Sequence, residues 1–189
     1  MNLSEKVALR LLSNLDPEKA HNLAIRALKF GFIPKTQGFQ AKSLELSVAG
    51  LKFKNPLGLA AGFDKNAEAI KPLLEFGFGF IEVGAVTPLA QIGNPKPRLF
   101  RLKEDSAIIN RFGFNNDGMH EVSKRLSKRP SNGIVGLNLG ANKNSADRIN
   151  DFATVFKTCS EFIDFATVNV SSPNTEHLRE LQSLSLIHI

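Results

Sequence analysis

The chain has 189 residues, 42% of them hydrophobic, enough to bury a core as one ordinary domain or as a piece of a larger one. Its single cysteine, Cys159, excludes a disulfide framework and a cysteine-rich metal site and fits a reducing compartment. A net charge of +6 suits an anionic small molecule, nucleic acid or an anionic membrane surface, and with no Trp or Tyr to stack on bases nucleic acid is the weakest of the three.

No apolar run approaches the roughly 20 residues of a membrane span. From Leu3 to about Leu15, Val7, Ala8, Leu11, Leu12 and Leu15 fall at helical spacing, and Glu5, Lys6 and Arg10 among them spoil a signal-peptide core. Asp16-Pro17 restarts the helix, because Asp caps exposed amides and Pro fits the first turn without wasting a donor. The second helix carries Ala20, Leu23, Ala24, Ala27 and Leu28, and Gly31 with Pro34 closes it. These helices read either as a hairpin packed on the main domain or as a membrane-surface element. The second reading draws on Lys6, Arg10, Lys19, Arg26, Lys29, Lys35 and Lys42, which outnumber Glu5, Asp16 and Glu18. Residues 35–43 are a polar linker.

Leu44–Val48 and Leu51–Lys54 alternate around Ala49-Gly50, a short hairpin. Pro56–Ala61 is a short apolar strand that ends in Gly62-Phe63-Asp64-Lys65. A helix follows to Phe76, bending or beginning at Pro72 and capped by Gly77. Phe78–Val86 is the second strand. Residues 89–116 form a connection too long for a bare loop unless it is functional. A helix from about Asp117 to Lys128 leads to the third strand, Gly133–Gly140, and Ser145–Ile163 is helical again. Phe165–Val170 reads as a strand buried on both faces, and Ser171, Ser172, Pro173, Asn174 and Thr175 crowd its carboxyl end. An ordinary strand-to-turn junction is the alternative for that burst of polarity. The order β-α-β-α-β-α-β argues for an α/β fold with a parallel sheet, and about four βα units are present where a barrel needs eight.

Asp64-Lys65, Thr87, Asn110, Asn138, Asn169, Ser172 and Asn174 all fall at or past the carboxyl ends of predicted strands, the end that faces ligands in parallel sheets. No Gly-rich phosphate fingerprint, histidine cluster or GxSxG elbow appears, so dinucleotide, zinc and triad-hydrolase readings lose support. Asn presents donors and an acceptor on one planar edge, so several of them suit a ring bearing amide groups, such as a pyrimidine or a flavin, with Lys65 pairing a substrate anion. Taken singly, each Asn reads rather as a turn or cap residue, and only their shared position at strand ends argues otherwise.

The segments NPLGLAAGFDK (55–65), GFGFIEVGAVTP (77–88), GNPKPRLFRL (93–102), INRFGFNN (109–116), GLNLGANK (136–143) and NVSSPNT (169–175) resemble dihydroorotate dehydrogenase. They resemble most its class two, the membrane-associated, quinone-linked flavoenzymes, because Ser172 stands where class one carries a catalytic cysteine and the LDPEKAH helix precedes the barrel. The resemblance runs from about residue 5 to 182. It implies about half of a TIM (β/α)8 barrel, its N-terminal part, over 44–182, preceded by a small helical extension and linker over 1–43 that lines a quinone tunnel and touches the membrane.

It further implies dihydroorotate as substrate, orotate as product, FMN as cofactor and a membrane quinone as acceptor, with neither a metal nor nucleic acid. Ser172 would take the proton from C5 while a hydride passes from C6 to FMN. Lys65 would bind the orotate carboxylate. Asn110, Asn169 and Asn174 would bind the pyrimidine edges, within a substrate segment that includes Arg111, Phe112, Gly113 and Phe114. Ala61, Gly62, Phe63, Asp64, Lys65, Ala85, Asn138 and Asn169 would contact FMN, and His21 and Arg101 would line the quinone site. On pattern alone His21 reads as a capping or surface residue. Ala85 departs from the usual Thr or Ser and loses that hydroxyl's contact. The tail Ser183–Ile189 leaves the family's pattern and is expected to be an assembly or cloning artefact. No Arg- and Ser-rich leader precedes the first helix, which favours a peripheral protein on the cytoplasmic side of a bacterial inner membrane. The other enzyme reading is another FMN barrel such as a tRNA dihydrouridine synthase, and a non-catalytic membrane- or partner-binding fragment is the third.

Overall fold

The computed structural model describes residues 3–32, 41–173 and 178–182. Helix α1 (Leu3–Asn14) and helix α2 (Pro17–Lys29) meet at Asp16, whose carboxylate accepts from the Lys19 N–H at 3.0 Å. Such a cap is worth about 1 kcal/mol. The apolar face expected on α1 is open to solvent, with Val7 49%, Leu11 64% and Leu15 43% exposed. On α2 the inward face is Glu18, Ala20, Ile25 and Leu28, and the expected Leu23 is 49% exposed. Ala24 and Ala27 are half-buried on the same face, so of the expected residues only Leu23 lies outward. Helix α2 closes through the Phe32 N–H, which donates to the Ala27 carbonyl at 3.0 Å, while Pro34 and most of the linker lie outside the described residues.

Strands β1 (Leu46–Val48) and β2 (Leu51–Phe53) form the expected hairpin, antiparallel about Ala49 (φ 49°) and Gly50 (φ 81°). Positive φ at both turn residues matches the twist of the strands. The main sheet is parallel in the order β3 (Gly58–Leu59), β4 (Phe80–Val86), β7 (Ile134–Leu139) and β8 (Phe165–Val168). Helices α3 (Ile70–Glu75), α4 (Met119–Leu126) and α5 (Arg148–Cys159) lie in the crossovers. Pro72 falls in the first turn of α3, where its missing N–H leaves no bond unmade. Helix α5 is shorter than expected. Asp147 caps it through the Asn150 N–H at 3.0 Å, and a 3-10 turn, Ser160–Phe162, ends it.

Alternation sorts the two faces. Ile81, Val83, Val86, Val135, Leu137 and Leu139 are buried against Leu73, Val122, Leu126, Val155 and Cys159. Each such side chain contributes about 1.5–3 kcal/mol. The inner face begins with rings at the amino end, where Phe53, Phe80 and Phe165 pack edge-on with centroids 5.4 and 5.9 Å apart. It becomes polar toward the carboxyl end with Glu82, Asn138 and Thr167. An apolar plug at one end leaves the other for ligands.

One expectation is corrected here. Strand β8 is not buried on both faces: it is an edge strand that alternates half-buried with exposed, and Val168 is 52% exposed. The long connection, expected to be too long for a bare loop, holds an antiparallel hairpin of β5 (Leu99–Leu102) and β6 (Ala107–Asn110) that the sequence did not announce.

Candidate functional site

Above the polar end of the inner face lies a cavity of about 320 Å³. The turn after β3 brings Ala61, Gly62 and Lys65 to it, β4 brings Gly84 and Ala85, β7 brings Asn138, and the segment after β8 brings Asn169 and Ser172. Asn110 comes from the end of β6, and Phe112, Gly113, Phe114 and Asn115 from the segment that follows it. The hairpin therefore folds over the mouth, and Asn110 comes from outside the sheet rather than from the end of a parallel strand.

Lys65 is held where its ammonium can meet an anion. Its Nζ donates to the Gly62 carbonyl at 2.6 Å and sits 4.2 Å from the centre of the Phe112 ring. Burial pushes its pKa down to about 8, against the pull of Glu18 and Asp64 and with a further push from Arg98. Asp64, only 2% exposed, accepts the N–H groups of Glu68 and Ala69, both at 2.8 Å. Burial raises its pKa in spite of those donors. It braces the turn that carries Lys65 and lies off the 320 Å³ cavity.

Asn116, which the sequence reading left without a role, holds the hairpin's exit in place. Its Nδ2 donates to Thr87 Oγ1 and to the Phe114 carbonyl, both at 2.8 Å. Its Oδ1 accepts from the Gly118 N–H at 2.8 Å and the Thr87 N–H at 3.2 Å. Two of these bonds fasten Asn116 to Thr87 just past β4, and the bond to Phe114 ties the Asn110–Phe114 segment to that anchor. Deeper in the cavity Asn138 Nδ2 donates to Glu82 at 2.7 Å, and Asn169 Nδ2 donates to Asn138 Oδ1 at 2.9 Å.

A second cavity, about 280 Å³, lies between α2 and the turn after β3. His21 and Glu18 line it with Phe63, Asp64, Lys65 and Phe112, so Lys65 and Phe112 form the wall between the two. His21 packs edge-on against Phe63 with centroids 5.2 Å apart, and burial, then Lys65, lowers its pKa. It is thus neither the cap nor the surface residue that its pattern suggested. Glu18 takes Arg98 Nη2 at 2.7 Å and Nε at 3.1 Å, with Lys96 at 3.3 Å. The Arg98 hydrogen bond is the main cause that holds the Glu18 pKa below its ordinary value.

Other expected residues fall elsewhere. Phe63 and Asp64 line the second cavity, and the exposed Arg111 donates to the Pro97 carbonyl at 2.9 and 3.2 Å. Arg101 donates to the carbonyls of Leu12, Ser13 and Leu15 at the end of α1 and shares no described cavity with His21. Asn174 lies outside the described residues. A larger, open cleft of about 970 Å³ runs past Leu89, Ile92 and Asn142. Its Asn142 amide is already bonded to the Leu89 carbonyl and Gln91 Oε1, both at 2.9 Å, so size and chemistry point to different cavities and chemistry favours the smaller.

A parallel α/β sheet with a cavity of amides, one ammonium and one serine at its carboxyl end marks an α/β ligand-binding protein and is consistent with part of a barrel. The comparisons narrow this. A profile of the family described as dihydroorotate dehydrogenase matches residues 43–187. A dihydroorotate dehydrogenase (quinone) of Cereibacter sphaeroides strain KD131 is 57% identical over 183 residues, 96% of this chain and 52% of the relative. Another, from Agrobacterium fabrum, is 52% identical over 181 residues, 96% of this chain and 50% of the relative. The crystal structure of DHODH in complex with ferulenol from Eimeria tenella shares 41% identity with a TM-score of 0.85, over 94% of this chain and 50% of that one. The chain belongs to the dihydroorotate dehydrogenase family, and it spans about half the length of the curated relatives it matches.

Proposed function

We propose that this chain is the amino-terminal half of a class two dihydroorotate dehydrogenase. The whole enzyme oxidises dihydroorotate to orotate with FMN and passes the electrons to a membrane quinone. The observation that carries the reading is the convergence of Lys65, Asn110, Asn138, Asn169 and Ser172 on one cavity, in a chain of this family. The cavity suits a flavin ring. Gly62, at φ 101°, has open space where a Cβ would stand, so bare backbone meets the ligand, and Asn138 and Asn169 offer amides to a ring edge. Ala85 offers backbone alone there.

FMN, when bound, supplies the acceptor for the hydride leaving C6. Lys65 pairs with the substrate carboxylate, Asn110 and Asn169 bond the ring edges together with Asn174, and Phe114 lies beside the ring. Ser172 Oγ receives the proton from C5. A lone hydroxyl is a poor base, so the step requires a dry site and a hydrogen-bonded outlet for that proton. In the second cavity His21 serves the quinone, and Arg101 serves it from outside that cavity, at the end of α1. Helices α1 and α2 form a helical extension whose exposed Leu9, Leu11, Leu23, Phe30 and Phe32 suit peripheral contact with the cytoplasmic face of a bacterial inner membrane. No helix among the described residues is long and apolar enough to cross a membrane.

The reading is tested by the flavin content of the full-length protein and its turnover of dihydroorotate with a quinone. Ser172→Ala is expected to lower turnover by about a hundredfold or more while FMN stays bound. A flavin-free protein, or an unimpaired Ser172→Ala variant, contradicts it. The rival that uses a cysteine acid finds no support. Cys159, at the end of α5, is 0% exposed, and burial pushes its thiol up to about 11.

A further inference from the structure

We propose that Glu82 is a positioning residue that fixes which way round the amides of Asn138 and Asn169 face, so that the cavity offers N–H donors to its ligand. The proposal rests on the flavin and pyrimidine reading and deepens it. Glu82 is an acidic residue in the middle of the apolar strand β4, half-buried on the inner face. Asn138 Nδ2 donates to its Oε1 at 2.7 Å, and Asn138 Oδ1 in turn accepts from Asn169 Nδ2 at 2.9 Å. Asn169 Oδ1 then lies 3.3 Å from the Ser171 N–H and 3.4 Å from Ser171 Oγ.

An isolated amide can turn over, exchanging its oxygen and nitrogen, whereas a carboxylate only accepts. Asn138 must therefore give its nitrogen to Glu82, which leaves its oxygen for Asn169. Asn169 must answer with its nitrogen, which leaves its oxygen for the turn that carries Ser172. Polarity passes in one direction from β4 through β7 to the end of β8. Each amide keeps one N–H in hand, so a ligand over this end meets donors. A ring edge with carbonyl oxygens or an unprotonated ring nitrogen is favoured there, and an edge bearing N–H is opposed.

Glu82→Gln keeps the shape but admits both amide orientations. In the nitrogen-15-labelled full-length protein, we expect the side-chain amide signals of Asn138 and Asn169 to shift or double together while backbone signals of β4 and β7 hold. FMN affinity, read by titration of the same signals, is expected to fall roughly tenfold. A response of Asn138 with Asn169 unmoved overturns the relay, and coupled shifts with unchanged FMN affinity overturn its role toward the ligand. Coupled shifts in a full-length protein that takes up no FMN in either form sink the flavin reading and still support the relay. If the variant does not fold, the coupling across the hydrogen bond from Asn169 Nδ2 to Asn138 Cγ in the unaltered chain decides: its presence supports the relay and its absence overturns it.

Discussion

Lys65 concentrates the site's electrostatics in one group. With a folded pKa of about 8, below the ordinary lysine value, it is cationic at neutral pH and loses its charge as the pH rises through about 8. Orotate affinity is therefore expected to fall above that pH, and complex formation there to take up protons, because a bound carboxylate restores the charged form. Calorimetry in buffers of different ionisation heat measures both, and a pH-independent affinity from 7 to about 9.5 contradicts the assignment. For stability the sign is opposite to that of a usual lysine partner: the depressed value costs nothing above the unfolded pKa, and the cost grows as the pH falls from 10.5 and is complete below about 8. At this scale much was legible. Lys65, Asn138, Asn169 and Ser172 stand at or past strand ends in the sequence and meet around one cavity. Glu82 was visible only as an acid inside an apolar strand. Its partner Asn138 is 56 residues away, and no local pattern joins them.

Helix α2 and the hairpin β5–β6 explain how the site is framed. Glu18 and Arg98 are 80 residues apart, both nearly buried, and they clamp the helix to the segment before β5. Glu18→Gln leaves Arg98 buried without its counter-charge, and a loss of about 3–5 kcal/mol is expected by urea unfolding. With a depressed Glu18 pKa, the pair's contribution is complete above the ordinary carboxyl value and drains away as the pH falls through the folded one, so an unfolding free energy with no acid-side slope contradicts it. Asn116→Ala removes four bonds from a residue 6% exposed. A loss of about 2–3 kcal/mol is expected, with weaker ligand binding because Asn110 and Phe114 lose their tether. The hairpin escaped the sequence reading for a local reason. Its turn, Lys103–Ser106, has none of the Asn-Gly or Asp-Gly chemistry that announces a tight turn. The Ala49-Gly50 hairpin, which has its glycine, was legible.

Across the whole molecule the parallel order was readable because short apolar strands alternate with helical spacing, a pattern that leaves few topologies. The burial of β8 was not. An apolar run shows that a strand can be covered on both faces, not what covers it, and Val168 remains 52% exposed. With about half the length of its relatives, this chain on its own is expected to bind FMN weakly and to turn over negligibly, so stoichiometric flavin absorbance after purification contradicts that expectation. The exposed Leu11 and Phe30 belong to the proposed membrane face. Replacing both with Glu is expected to reduce liposome co-sedimentation several-fold without lowering the melting temperature. Unchanged sedimentation removes that role.

The most direct trial of the account is a crystal structure of the full-length protein grown with FMN and orotate. The account predicts the orotate carboxylate within hydrogen-bond reach of Lys65 Nζ, the ring between Asn110 and Asn169, and C5 facing Ser172 Oγ. Orotate seated in the open cleft beside Leu89 and Asn142, or Ser172 and Lys65 on opposite sides of the bound flavin, would contradict it.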